Sequence, residues 1–159
     1  MRQFKKPDQK QHLITVPEVW HIWNHLIHRN QEFDKTNKLG HFAADDDFKL
    51  IITIGTRKLK TQIAQLEDIL KSYNIPLPKN PPADSQTINE LEILTDQYIF
   101  KVIFRGIQSV LTEHVQAFKE STSPSIRNLF KSFTIDEIDI YDKYLEYGKI
   151  KSWVEIVRL

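Results

Sequence analysis

The chain reads as an all-α protein, a four-helix bundle with a long crossover between its second and third helices. Three observations carry this. Apolar residues recur at i, i+3/i+4 and i+7 in four long stretches, the spacing that gives a helix one apolar face. The first connection and the last are short, whereas the middle one includes NIPLPKNPPADSQT, with four prolines in fourteen residues, which cannot be helix. Finally, Gly55 and Gly106 sit at similar depths on the apolar faces of the second and third stretches. Those two glycines meet at one level only if their helices run parallel, which a crossover produces. Short outer links and one long middle link are the single-crossover topology of ferritin-like bundles.

The second helix organises the rest. Phe48–Tyr73 carries Phe48, Ile52, Leu59, Ile63, Leu66, Leu70 and Tyr73 on one face, preceded by Asp45, Asp46 and Asp47, which can cap it and favour its positive end. Residues 1–14 are charged and aperiodic and read as a mobile arm. Thr15, Pro17 and Glu18 form a capping-box start to the first helix, Pro17 to His41. At about 100° per residue, Val19, Trp20, Trp23, Leu26, Ile27 and Asn30 gather on its inward side, with His21, His25, His28 and Glu32 opposite. The third helix, Thr95 to Glu120, turns Ile99, Ile103, Gly106, Ile107, Val110, His114 and Phe118 inward. Ser123 and Pro124 open the fourth, which buries Ile126, Leu129, Phe130, Phe133, Ile140, Tyr141 and Tyr144 and runs to Tyr147, where Gly148 ends it as a left-handed residue. The bundle thus spans 15–153, and a tail, 154–159, follows.

Composition removes several classes of function. With 22 basic and 21 acidic residues and no block of one sign, nucleic acid and anionic membrane are poor partners. No apolar run spans a bilayer, and the polar N-terminus lacks a signal-peptide core, so cytoplasmic synthesis is expected. The absence of cysteine removes disulfides, thiolate metal sites and cysteine nucleophiles. Gly-x-Ser-x-Gly and glycine-rich phosphate loops are also missing.

Two polar constellations remain. His21, His25 and His28, spaced three and four apart, share one helical face as a metal site requires, on the side expected to face solvent or a partner chain. Asn30, Gln62, His114 and Glu137 are the polar candidates for the core, because His114 and Glu137 fall within apolar stripes. A carboxylate inside a bundle needs a partner or its pKa rises, and His114 or Gln62 is placed to be that partner. The set serves as a register-fixing polar network or as the site of one divalent ion held by His114 and Glu137. A di-iron centre needs inward glutamates on two helices and Glu-x-x-His on the other two. Here Asn30 and Gln62 stand in place of acids, and the lone Glu-x-x-His begins at outward-facing Glu18.

Three segments carry a family likeness: LKTQIAQLEDILKSYNIPLPKNPP, YIFKVIFRGIQSVLTEHVQAF, and IRNLFKSF followed by YDKYLEYGKIKSW. They resemble the ferritin-like bundle proteins of spore-forming bacilli related to spore coat protein F. The closing stretch in that family commonly reads Lys-Gly-Trp then prolines; here Ser152 replaces the glycine and VEIVRL the prolines. The resemblance covers about residues 15–153 and implies a ferritin-like bundle with a spore-coat or sporulation role, without a catalytic set. The resulting expectation is a non-enzymatic structural protein with no cofactor, associating with itself, most simply as a dimer, or with other coat proteins. The alternative is a metal-binding bundle using one divalent ion.

Overall fold

The first helix starts at the capping box. The Thr15 hydroxyl accepts the Glu18 N–H at 3.3 Å while the Glu18 carboxylate accepts the Thr15 N–H at 2.9 Å, satisfying two amides that a helix start leaves without partners. From there α1 runs Val16–Gly40. Asp45 caps α2 (Asp46–Ser72), accepting the Phe48 N–H at 3.0 Å. Thr95 caps α3 (Asp96–Glu120), and Pro124 occupies the first turn of α4 (Pro124–Ile150). The computed structural model describes residues 14–79 and 94–155, and no strand occurs among them. Most of the expected N-terminal arm, the middle of the Pro-rich link and the last four residues lie outside these.

Side-chain pairs give the helix directions. Arg29 meets Gln62 and Lys60 lies over Phe33, so α1 and α2 are antiparallel. Phe104 stacks on Tyr141 while Arg127 covers Phe118, so α3 and α4 are antiparallel too. His21 pairs with Glu120 and His28 with Glu113, setting α1 antiparallel beside α3. Lys58 reaches Asp136 and Phe48 stacks on Tyr147, doing the same for α2 and α4. Across the diagonals α1 therefore runs parallel to α4, and α2 to α3. The end of α2 and the start of α3 lie at opposite ends of the bundle, about 40 Å apart for a helix of this length. This is the ferritin-like four-helix bundle with one long crossover that the sequence predicts.

The apolar core is in two parts. At one end Phe48, Ile52, Ile99, Phe100, Tyr144 and Tyr147 pack together, with Trp153 and Val154 laid against them. At the other, Ile22, Leu26, Leu66, Leu70, Phe130 and Phe133 do so. A layer of buried polar side chains lies between.

The inward faces of α2, α3 and α4 largely match the periodicity, but α1 does not. It buries Glu18, His21, Ile22, His25, Leu26, Arg29 and Thr36, while Trp20 is 61% and Trp23 37% exposed. The helix is turned about one residue step from the expected face, because polar partners on other helices satisfy its polar residues. Gly148 also differs from expectation. α4 continues past it to Ile150, and the left-handed residue is Ser152 (φ 59°), with the Ser152 and Trp153 amides donating to Lys149 and Gly148 carbonyls at 3.1 and 2.8 Å. That is a Schellman ending. Gly148 is needed for space, since a Cβ there would lie 2.5 Å from the Phe100 ring and 2.6 Å from Val154. Gly55 and Gly106 share a level, yet instead of touching they line one small cavity. A Cβ on Gly55 would find nothing nearer than the Tyr144 hydroxyl at 4.0 Å, and one on Gly106 would meet the Glu32 carboxylate at 3.2 Å.

Three substitutions test this backbone reading in chemical denaturation. Gly55→Ala raises stability by about 1 kcal/mol, the helix-propensity difference with room for the methyl. Gly148→Ala lowers it by roughly 1–3 kcal/mol through overpacking. Ser152→Gly raises it by about 1 kcal/mol by relieving a left-handed non-glycine residue; a loss of stability there would contradict the assigned helix ending.

Candidate functional site: a buried polar layer and two shared caps

The polar layer draws on all four helices. Arg29 of α1, 2% exposed, points a guanidinium nitrogen at Gln62 Oε1 of α2 (3.3 Å) and at Glu137 Oε2 of α4 (3.4 Å). His114 of α3 places Nε2 3.5 Å from the same Glu137 oxygen. Its ring stacks on His25 of α1 with centroids 5.2 Å apart. A buried carboxylate is tolerable only beside positive charge or donors, and Glu137 has both.

Histidine protonation follows from the geometry. His25 Nδ1 lies 2.7 Å from the His21 carbonyl; a carbonyl only accepts, so the proton is on Nδ1 and Nε2 carries the lone pair. Burial, then the neighbouring His114, push His25 down to about 3. Burial also lowers His114, partly opposed by its hydrogen bond with Glu137. Both rings are therefore neutral near pH 7, leaving Arg29 and Glu137 as the balancing charges of the layer. Beside them is a cavity of about 40 Å³ whose wall includes Thr36, Gly55, Lys58, Gly106 and Tyr144. It has room for water and is far below the size of a small-molecule pocket.

Two further carboxylates tie helix starts together. Glu18, in the first turn of α1, accepts the Thr122 and Ser123 N–H groups at 2.7 Å each and the Ser123 hydroxyl at 2.8 Å, at the start of α4. Burial alone would raise Glu18, but donors from Thr15, Ser123 and Thr122 hold it at about 2. Asp96 of α3 does the same for α2 at the opposite end, accepting the Ala44 and Asp45 N–H groups at 2.8 Å each. In both cases the first turn of one helix satisfies the two amides just before its parallel neighbour.

The residues singled out by spacing divide into two groups. Gln62, His114 and Glu137 lie in one layer around Arg29. Asn30 does not join them and instead donates to the Leu26 carbonyl of its own helix at 2.9 Å. His21 and His25 are buried, contrary to the expected solvent face, and only His28 is exposed. The three do not converge: His21 Nε2 lies 2.5 Å from Glu120, His28 Nδ1 3.2 Å from Glu113, and His25 turns to His114. Arg29 is not legible from periodicity because it lies outside the tryptophan stripe. A usable signal exists all the same: Glu18, Ile22, His25 and Arg29 repeat at helical spacing, and an inward Glu137 calls for a cation on a facing helix.

Bundles of this architecture can hold metal between facing helices. Here the residues do not fit one. A basic guanidinium stands among the would-be ligands, and among the described residues no three His, Asp or Glu side chains are grouped to hold an ion. The class is therefore a ferritin-like four-helix bundle whose central layer is closed by an internal ion pair. The chain belongs to the DUF3231 family, proteins of unknown function, whose profile matches residues 3–156. The fold is similar to that of a putative spore coat protein from Bacillus halodurans C-125, with 21% identity over 92% of this chain and 94% of that one and a TM-score of 0.81. A conserved hypothetical protein from Mycobacterium tuberculosis is similar at 6% identity over 82% and 96% of the two chains, TM-score 0.71. So is a two-domain protein from Anabaena variabilis with DJ-1/ThiJ/PfpI-like and ferritin-like domains, at 13% identity over all of this chain and 48% of that one, TM-score 0.71. No curated protein matches the sequence.

The depressed values set the acid limb of stability. Between about pH 6.5 and 3 the unfolded chain protonates His25 and the folded chain does not, so stability falls as pH drops through that range. Glu18 adds a loss beginning below about 4.5 and continuing towards 2. Each proton contributes up to about 1.4 kcal/mol per pH unit. Thermal melts between pH 7.5 and 5 should show His25→Phe flattening the upper part of this slope; an unchanged slope would mean the folded bundle already carries a proton on His25.

Proposed function

We propose that this chain is a non-catalytic structural protein of the spore-coat kind, acting by self-association through the outer face of α1. The observation that carries the reading is the exposed apolar ridge of Val16, Trp20 and Trp23, spaced four and three residues apart, with Leu77 beside it. Exposed tryptophans grouped this way mark interaction surfaces. Trp20 also borders a groove of about 550 Å³ between α1 and α3, lined by Asn24, His28, Thr112 and Glu113. Ridge and groove on one patch suit a two-fold pair, in which each copy offers the other the same surface. The spore-coat assignment is supported by the fold shared with the Bacillus halodurans putative spore coat protein, and by the closing Tyr-Gly-Lys-x-Lys-x-Trp. The closed polar layer and its water-sized cavity favour a structural role over an enzymatic one. No helix among the described residues is long and apolar enough to cross a membrane.

Size-exclusion chromatography with light scattering tests this. The wild-type chain runs as a dimer at high micromolar concentration, and Trp20→Ala weakens association roughly thirtyfold, the effect of an anchor worth about 2 kcal/mol, with helicity unchanged. A wild-type chain that stays monomeric, or a dimer indifferent to both Trp20→Ala and Trp23→Ala, would overturn the proposed surface.

A further inference from the structure

We infer that the Arg29 guanidinium occupies an ion seat, and that removing it opens a site for one divalent transition-metal ion held by Glu137, His114 and Gln62. The geometry carries this. One guanidinium nitrogen lies 3.3 Å from Gln62 Oε1 and 3.4 Å from Glu137 Oε2, and His114 Nε2 is 3.5 Å from that same carboxylate oxygen. The groups around the cation are a carboxylate, an imidazole and an amide oxygen, a mixed N/O set that suits zinc, cobalt or nickel. The layer also holds donors and acceptors with no protein partner: Arg29 Nε, Gln62 Nε2, His25 Nε2 and His114 Nδ1. Such groups in a buried site are ready to bind water or an ion.

Arg29 excludes the metal in two ways. Its guanidinium keeps its charge at any pH the protein survives, so a divalent ion arriving at Glu137 meets a like charge in a poorly hydrated interior. Its bulk also fills the space between Gln62 and Glu137. Room beside it is limited to the cavity of about 40 Å³, whose wall includes Glu32 and Lys58. Lys58 is 38% exposed at its side chain and Glu32 31%, so this cavity is the route by which an ion would reach the layer. The metal-binding reading of His114 and Glu137 is thus answered from within the chain: the cation of this bundle is a side chain.

The test uses the full chain without a histidine tag and Co(II) as the probe. Wild-type protein shows no stoichiometric Co(II) with an imidazole-bound visible spectrum. Arg29→Ala binds one Co(II) per chain at least a hundredfold more tightly, and the double variant Arg29→Ala, Glu137→Gln loses that binding. Arg29→Lys keeps the positive charge and binds no ion. Should Arg29→Ala be poorly folded alone, one equivalent of Co(II) restores its helical circular dichroism, and the absence of any recovery counts against the inference. Stoichiometric Co(II) on the wild type that disappears in His114→Ala, or no binding by a folded Arg29→Ala chain, overturns it.

Discussion

The middle of this bundle depends on one buried ion pair. Arg29 and Glu137 are 2% and 3% exposed, and neither would be tolerated there without the other. Leaving one buried charge uncompensated costs about 3–5 kcal/mol, although an apolar replacement of both can be neutral or better. Such a pair therefore acts chiefly as a constraint. It links α1 to its diagonal partner α4, and through Gln62 to α2, and it admits one rotation of α1 about its own axis. Had α1 buried its tryptophans instead, Glu137 would face apolar side chains. The exposed Trp20 ridge is thus the counterpart of the buried Arg29: the rotation that places one inside places the other outside.

The ends of the bundle are held by a related device. Parallel helices on a diagonal share few direct contacts, so something else must fix their relative height. Glu18 does so for α1 and α4, and Asp96 for α3 and α2, each accepting two successive amides just before the neighbouring helix. Carboxylates at helix starts also favour the positive end of the helix dipole. With the ion pair in the centre, the four rods are pinned at both ends and the middle. Each apolar half-core then fills the space between two pins.

This arrangement leaves little free space beside the central ion pair. The central groups neutralise each other, and the adjoining cavity is water-sized. The outer face of α1 carries large apolar side chains next to a groove, which is where a partner would gain most from burial. A fold that elsewhere accommodates metal between its helices here has the Arg29 guanidinium beside its central carboxylate, and its aromatic ridge stands exposed on α1.

Much of the architecture was legible from local pattern. The number of helices and the capping residues Thr15 and Asp45 followed from spacing and side-chain chemistry, because each is a short-range effect; the Ser123 hydroxyl, expected to cap α4, donates instead to Glu18. The long proline-rich link predicted the crossover for the same reason. His114 and Glu137 were expected in the core because they interrupt apolar stripes, and Gln62 and Asn30 because they lie on the rims of two others; Asn30 instead bonds within its own helix. What the sequence could not decide was the rotation of α1. Its apolar and polar faces are both regular helical lines, and the preference for burying Glu18, His25 and Arg29 arises from groups far along the chain, at Ser123, His114 and Glu137. Nor could it distinguish a glycine needed for left-handed backbone from one needed for space, since Gly148 and Ser152 exchange those tasks only once Phe100 and Val154 pack beside them. Sequence alone determined the rods and their order, through interactions within a few turns; tertiary structure decided which face of the first rod is inside, because that depends on satisfying buried charge across the whole bundle.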